Sequence, residues 1–498
     1  MRADAVMIAG LMQQSGVGFG TSGARGLASD MTDKVCYAYT AAFLDWLNEA
    51  GLLSTDKRVA IAGDFRPSTP RIMAAVGMAV YDAGLTPLNC GFIPTPAVAL
   101  CGLKYDIPAI MVTGSHIPDD RNGIKFYKPE GEILKDDEQA MTARSIVIPA
   151  GLFDGRGAVL AARPLPQIDK KAQEDYIRRY TDFLPPHCLN GKHIGVYQHS
   201  TVARDIMAEV FRALGAEVTC LGRSEHFIPV DTEAIRAEDV KLARAWSSEY
   251  GFDCIVSADG DGDRPLVSDE HGNWLRGDVA GILCARYLGA QSIATPVSCN
   301  SAVEKCDWFS HVTRTRIGSP FVIKAMQQAH ACSAQGIVGY EANGGFLTGG
   351  DITLHGQTLA ALPTRDALIV PLTILLLAAD SGTTISGLLD SLPQRFTASD
   401  RIKNFPTELS KARLAALDSG DATANIRAAQ ALLGEQFGKV VSVDTTDGIR
   451  ISFATDEVVH LRPSGNAPEL RCYTEAASET RAVEMNRTCL KLLASWRP

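Results

Sequence analysis

Along most of the chain, short apolar runs alternate with longer segments in which apolar and polar positions mix. RVAIAG, residues 58–63, is a compact apolar run and reads as a buried strand. TPRIMAAVGMAVYDAG follows it as a helix that ends at Gly84, and LTPLNCG and PAIMVTG read as two more strands. The same order returns in KHIGVYQ, VARDIMAEVFRALG and AEVTCLG. It returns again in VAGILCARYLG, SIATPVS, SPFVIKAMQQAH and GIVGYEANGG. Strands alternating with helices of this length imply α/β layers built on largely parallel sheets.

Beyond residue 389 the pattern changes. GKVVSVDTTDGIRISF reads as a hairpin turning at TDG, and EVVHLRPSGNAPELRCYTEAAS as two strands around a loop. A helix, ETRAVEMNRTCLKLLASW, closes the chain. Breaks in this rhythm fall at ARPLPQIDKK, DEHGNWLRGD and SGTTISGLL. They divide the chain into three α/β domains, 1–162, 163–272 and 273–388, with mixed, mainly parallel sheets, and a smaller α+β domain, 389–498.

Composition adds exclusions. With 46% hydrophobic and 21% charged residues in 498, the chain is an ordinary globular one. A net charge of −9 argues against a nucleic-acid surface but leaves room for a local basic pocket. The 12 cysteines form no C-x-x-C pair, which argues against a zinc ribbon or a disulfide scaffold and fits a reducing cytosol. The most apolar stretch, ALIVPLTILLLAA, is short for a bilayer, contains Pro371 and is flanked by Asp366 and Asp380, so it reads as a buried helix. Asp4 interrupts the apolar start, and no cleavage site follows it. The expectation is a cytoplasmic protein with no membrane span.

Four loops carry candidate chemistry. In VTGSHIPDDRNGIKFY, Ser115 sits at the end of an apolar strand, where open sheets bind ligands; alone, it also reads as an ordinary turn serine. In SADGDGDRPLV, Asp259, Asp261 and Asp263 alternate with glycines and can aim three carboxylates at one point. Hard oxygen ligands suit Mg²⁺, and the competing reading is a solvated acidic turn. In GYEANGGF, Glu341 and Asn343 could hydrogen-bond adjacent hydroxyls, or merely decorate a glycine turn. In RPSGNAPELR, Arg462, Ser464, the backbone N–H groups of Gly465 and Asn466, and Arg471 could form an anion nest, or a turn with two surface arginines. A fifth segment, FGTSGARG, places Arg25 in a glycine-rich stretch but lacks the ending of a Walker A loop.

Taken together, these loops resemble the α-D-phosphohexomutase family, in its phosphomannomutase/phosphoglucomutase branch. FGTSGARG, TGSHIP, NGIKFY, DGDGDR, EANGG and RPSGNAPELR stand in that family's order, from Phe19 to Glu475. The resemblance implies four domains around one central cleft, each lending a loop. It implies a phosphoserine at Ser115, with His116 shaping the loop, and Mg²⁺ held by Asp259, Asp261, Asp263 and an oxygen on Ser115. Arg264 would lie beside the reacting phosphate. Arg25 and Lys125 match the family's acid–base residues, and Arg25 would act mainly through its charge, since a guanidinium is a poor proton shuttle. Glu341 and Asn343 would read sugar hydroxyls, with Gly318 in RTRIGSPF touching the sugar. Arg462, Ser464, Gly465, Asn466 and Arg471 would grip the phosphate that is not reacting.

The implied reaction moves a phosphoryl group between O1 and O6 of mannose or glucose through a hexose 1,6-bisphosphate, which also serves as primer. The expected partner is a phosphosugar, on a monomer or dimer. Two departures, Asn343 where many relatives have serine and SGNAP where many have SGTEP, weaken any inference about sugar preference. The alternatives are a phosphoglucosamine mutase, a Mg²⁺-dependent phosphatase or a non-catalytic sugar-phosphate-binding protein.

Overall fold

Three sheets of the protein repeat one plan. In a computed structural model, which describes residues 4–20, 23–161, 163–464 and 468–497, each of these sheets has a parallel trio closed by an antiparallel strand. In the first, Arg58–Gly63 lies between Thr86–Gly91 and Ala109–Val112, both parallel to it, and Arg121–Lys128 runs antiparallel beside Ala109–Val112. In the second, His193–Tyr197 lies between Glu217–Leu221 and Cys254–Ala258, and Pro265–Val267 closes the edge. In the third, Ser292–Pro296 lies between His311–Thr315 and Ile337–Tyr340, closed by Phe346–Thr348.

The mixed character follows from the connections. Parallel neighbours need helical crossovers, whereas each closing strand returns directly through a short loop. Those three return loops, 113–120, 259–264 and 341–345, hold the serine, the carboxylates and the candidate sugar reader. The repeated topology thus puts three chemistries at equivalent strand ends.

The first sheet extends further. Gly18–Phe19 and Ala24–Leu27 pair antiparallel and continue onto Arg121–Lys128, so Arg25 stands on a strand opposite Gly123. In the glycine-rich stretch FGTSGARG, Phe19, Ala24, Arg25 and Gly26 are therefore strand and Gly20 and Gly23 lie between the strands, while Thr21 and Ser22 lie outside the described residues. The apolar start pairs as Asp4–Met7 with Ser145–Ile148 and runs into a helix, Ile8–Ser15.

Burial follows the strand period of two. Ala60 and Ala62 face one core and Val59 and Ile61 the other. The first of these cores is continuous from Ala60 to Leu392 and joins all three sheets, so the equivalent loops sit on one packed body. The last sheet, Phe396–Ile402 to Leu470–Ala476, is antiparallel, with the TDG hairpin where the sequence puts it, and it has a separate core. ALIVPLTILLLAA forms the buried helix Ile369–Asp380, with Pro371 in its first turn, where a missing N–H costs little. No helix among the described residues is long and apolar enough to cross a membrane.

Candidate active site

Ser115 is fully buried and left-handed, with φ of 56°. A non-glycine residue in that region carries strain of about 1–3 kcal/mol and persists only where its surroundings fix it. Here they do. The Ser115 N–H donates to Thr113 Oγ1 at 2.7 Å, and that hydroxyl donates to Asp64 at 2.7 Å. Asp64 pairs with Arg66 in a fully buried ion pair. The Arg66 guanidinium donates to the carbonyls of Ser115 (2.7 Å), Ile117 (2.6 Å), Pro118 (2.6 Å) and Arg121 (3.0 Å). It thereby staples the whole loop, and the Phe227 ring covers it at 4.1 Å. A Cβ on Gly114 would lie 2.6 Å from Arg66 Cζ, so the loop can approach the guanidinium only with glycine there.

The serine hydroxyl donates to Asp259 Oδ2 at 2.5 Å. His116 Nδ1 stands 3.4 Å from Ser115 Oγ. Burial, then Arg264 and Arg25, push the His116 imidazole far below its usual range, which favours the neutral ring. Its place fits shaping the loop.

Asp259, Asp261 and Asp263 are buried, and they offer ligand atoms within 4.8 Å of one another. Their oxygens divide by task. Asp261 Oδ2 accepts from Lys125 Nζ (2.6 Å) and Thr95 Oγ1 (2.5 Å). Asp263 Oδ2 accepts from Lys125 Nζ (2.6 Å) and Arg365 Nε (3.0 Å). Asp261 Oδ1 and Asp263 Oδ1 are buried without a hydrogen-bond partner. Each such orphan costs about 1–3 kcal/mol, which a cation between them would offset. Two orphaned carboxylate oxygens, a third carboxylate and a hydroxyl form a hard-oxygen donor set, so these residues fit a divalent cation such as Mg²⁺.

Charge follows the same geometry. Burial and the two neighbouring carboxylates push Asp259 well above the usual carboxylate range. Burial pushes Asp263 up as well, but Arg365, Lys125 and Arg264 outweigh it and hold the group far below that range. Arg264 Nε lies 3.7 Å from Asp263 and 4.0 Å from Asp259. Burial, then Arg264 and Arg365, lower Arg25 to about 10. It remains a cation at neutral pH, which fits electrostatic work rather than proton shuttling.

In the third return loop, Glu341 Oε1 accepts from Arg365 Nη1 at 3.2 Å. Asn343 Oδ1 accepts the Gly345 N–H at 2.9 Å, so what Asn343 can offer a ligand is its amide NH₂. Thr232, from a loop of the second sheet, donates to the Asn343 carbonyl at 2.6 Å and ties the two loops together.

Arg462 and Arg471 are direct cross-strand partners, and Ser464 is buried beside them. Asp447, in the TDG turn, accepts from Arg462 Nε at 2.9 Å and from the Ile317 N–H at 2.9 Å, next to Gly318. A cavity of about 700 Å³ opens here, lined by Arg316, Asp447, Arg462 and Ser464 among others. Gly465 and Asn466 lie outside the described residues.

One hydrogen-bonded cluster therefore joins Ser115, Lys125, the three aspartates and Glu341, with Arg25, His116 and Arg264 against it. Arg462, Ser464, Arg471 and the Gly318 loop form a second group. Sequence reasoning missed Arg66, Thr95 and Arg365. The available signals were the charged pair in GDFRPS directly after a strand, and the charged pair in PTRDALIV at the mouth of an otherwise apolar helix.

A strained serine facing a carboxylate trio, with lysine and arginine converging on the trio, is an arrangement that could hold a phosphoryl group beside a divalent cation. Residues 16–146, 276–396 and 409–487 match the family models described as phosphoglucomutase/phosphomannomutase alpha/beta/alpha domain I, alpha/beta/alpha domain III and C-terminal domain. A phosphomannomutase from Salmonella muenchen is 44% identical over 487 residues, 97% of each chain. A phosphoglucosamine mutase from Deinococcus deserti is 27% identical over 386 residues, 75% of this chain and 80% of its own. The crystal structure of a phosphoglucomutase/phosphomannomutase family protein from Burkholderia thailandensis superposes with a TM-score of 0.71 at 20% identity, covering 96% of this chain and 97% of that one. The chain belongs to the phosphoglucomutase/phosphomannomutase family and is a phosphohexomutase.

Proposed function

We propose that the protein interconverts mannose 1-phosphate and mannose 6-phosphate, and the glucose pair beside them, through a phosphoserine at Ser115 and a hexose 1,6-bisphosphate. The observation that carries this reading is the strained Ser115 hydroxyl held against the carboxylate trio. The 44% identity to a phosphomannomutase, against 27% to a phosphoglucosamine mutase, supports the choice of sugar class.

In the first half-reaction, a free sugar hydroxyl forms a bond to the phosphorus of phosphoserine 115 as the Ser115 Oγ–P bond breaks. Lys125, an ammonium paired with Asp261 and Asp263, gives a proton to the departing Ser115 Oγ as it takes up the proton of the attacking hydroxyl, so the proton count is unchanged. The bisphosphate then reorients, and the second half-reaction returns its other phosphoryl group to Ser115. Phosphoryl transfer asks chiefly for alignment and charge stabilisation. Asp259, Asp261 and Asp263 would hold Mg²⁺, which when bound neutralises charge on the phosphoryl oxygens. Arg264 and Arg25 add positive charge around the reacting group. Glu341 and Asn343 read hydroxyls, with the Gly318 loop beside them. Arg462, Ser464, Gly465, Asn466 and Arg471 grip the distal phosphate.

The four-domain division at 162, 272 and 388 belongs to this reading, and every sheet keeps its strands within one segment. So does a cytoplasmic setting, supported by twelve cysteines, all of them free. A coupled mutase assay with and without hexose 1,6-bisphosphate tests the function. Primer-dependent product formation supports it. Release of inorganic phosphate without isomerisation would indicate a phosphatase instead.

A further inference from the structure

Arg365 has no task in the reaction as written, yet it sits at the middle of the site. Its guanidinium is buried between loops of two different sheets. Nε lies 3.0 Å and Nη2 2.8 Å from Asp263 Oδ2, and Nη1 lies 3.2 Å from Glu341 Oε1. One planar cation therefore spans the carboxylate trio and the sugar loop.

Its aim is built into the chain. The next residue, Asp366, points the other way and accepts from the Tyr176 hydroxyl at 2.7 Å and from the Tyr180 hydroxyl, both on helix Lys171–Thr181. Asp366 also accepts the Leu368 N–H at 3.0 Å, and its own N–H donates to the Phe346 carbonyl at 2.9 Å. On the opposite side, a Cβ on Gly345 would lie 2.4 Å from Arg365 Cδ, so the arginine stem rests against the sugar loop's backbone. Packing alone does not explain this arrangement. Burying a cation with two carboxylates carries a desolvation cost that an apolar side chain of similar volume would avoid.

We propose that Arg365 is a positioning residue that sets the sugar reader against the metal loop. It fixes the Glu341 carboxylate through Oε1 and leaves Oε2 to accept from a sugar hydroxyl. It also engages Asp263 Oδ2, so that Asp263 meets a cation through Oδ1, which accepts no hydrogen bond and has only the Arg264 guanidinium at 3.7 Å. The proposal rests on the phosphohexomutase reading above.

Two effects of opposite sign follow. Removing the guanidinium removes a positive charge that competes with a divalent cation at Asp263, so metal should bind more tightly. The same change frees Glu341, so sugar phosphate should bind more weakly. A residue that only filled space would weaken both or leave both unchanged.

The test uses the full chain as wild type, Arg365→Met and Arg365→Lys. Mn²⁺ binding is read by electron paramagnetic resonance without substrate, and KM and kcat are measured with mannose 1-phosphate. For Arg365→Met the Mn²⁺ Kd should fall by roughly threefold to tenfold. KM should rise by about tenfold, the loss of one charge-assisted hydrogen bond, with a smaller change in kcat. Arg365→Lys keeps the charge but cannot reach both carboxylates, so KM should rise while the Mn²⁺ Kd stays near wild type. Unchanged or weaker Mn²⁺ binding in Arg365→Met, or an unchanged KM in either variant, overturns the proposal. Should Arg365→Met fail to fold, the KM of Arg365→Lys decides. If wild type shows no mutase activity, the functional reading fails separately, and the Mn²⁺ arm still reports on Arg365.

Discussion

Ser115 Oγ and Asp259 Oδ2 lie 2.5 Å apart across 144 positions of sequence. Each is the product of one topological step, the direct return from the third parallel strand of its sheet to an antiparallel partner. Because the first three sheets share a continuous core, the two strand ends are held against each other as rigid bodies. The contact therefore places the Ser115 hydroxyl and the carboxylate trio at one point before any ligand arrives.

The metal reading gives a direct expectation. Asp261→Asn keeps the volume and removes one charge, so the fold should survive. Chelation should inactivate the wild type reversibly, and Asp261→Asn should need far more Mg²⁺ for half-maximal rate. Activity that is indifferent to chelation in both proteins would leave the trio as buried charge partners of Lys125 and Arg365 rather than a metal site.

Arg66 should matter without touching substrate. Arg66→Lys keeps a charge near Asp64 but cannot reach four carbonyls, and a displacement of about 1 Å at the serine should lower kcat roughly 10²-fold. Arg66→Ala leaves Asp64 buried and unpaired, with an expected loss of about 3–5 kcal/mol of stability. Thermal melting and steady-state kinetics on both variants separate the two effects. Wild-type kcat in Arg66→Lys contradicts the stapling role.

Acid sensitivity should arise partly from two buried histidines. His199 and His460 are buried, and burial lowers each to about 4 even though Nε2 donates to a backbone carbonyl, of Ala258 at 2.8 Å and of Asp447 at 2.6 Å. In the unfolded chain a histidine titrates near 6.5. Between about pH 4 and 6.5 the unfolded chain takes up protons that the folded one refuses, so stability is lost as pH falls through that window and is unaffected above it. Each histidine contributes about 3 kcal/mol of this loss by pH 4. A His199→Asn variant lacks one share, so its Tm deficit against wild type should narrow from pH 7 towards pH 4. A constant deficit contradicts the assignment.

Substrate breadth follows from the sugar loop. Glucose and mannose differ at C2, whereas in the proposed reading Glu341 and the Asn343 amide would hold O3 and O4, which the two sugars share. Without a buried partner dedicated to C2, discrimination is modest. The kcat/KM values for mannose 1-phosphate and glucose 1-phosphate should fall within roughly two orders of magnitude. Glucosamine 1-phosphate should be poorer, and its emergence as the best substrate would reassign the sugar while leaving the phosphoserine chemistry standing.

What the sequence made legible was local. The three aspartates stand directly after an apolar strand and alternate with glycines, which favours a metal, whereas Ser115 alone also reads as an ordinary turn serine. Glu341 and Asn343 needed the other loops for company. Arg66 and Arg365 stayed hidden because their partners lie far off in the chain, at Ser115 and Pro118 for one and Asp263 and Glu341 for the other. An arginine that binds backbone carbonyls leaves no complementary side chain to find. In FGTSGARG the sequence alone does not show that Gly23 serves close packing, where a Cβ would fall 2.2 Å from the Ile124 carbonyl. The repeated plan of the three sheets was visible only as rhythm, because the closing strands are short and the register is set by tertiary pairing.

The most direct test is the mass of the intact protein after incubation with a hexose 1,6-bisphosphate, for wild type and Ser115→Ala. Wild type should gain the mass of one phosphoryl group, located to Ser115 by peptide mapping, and should turn over mannose 1-phosphate. Ser115→Ala should gain none and lose several orders of magnitude in turnover with its circular dichroism unchanged. A Ser115→Ala protein that still takes up the phosphoryl group, or that keeps near-wild-type turnover, would contradict the mechanism.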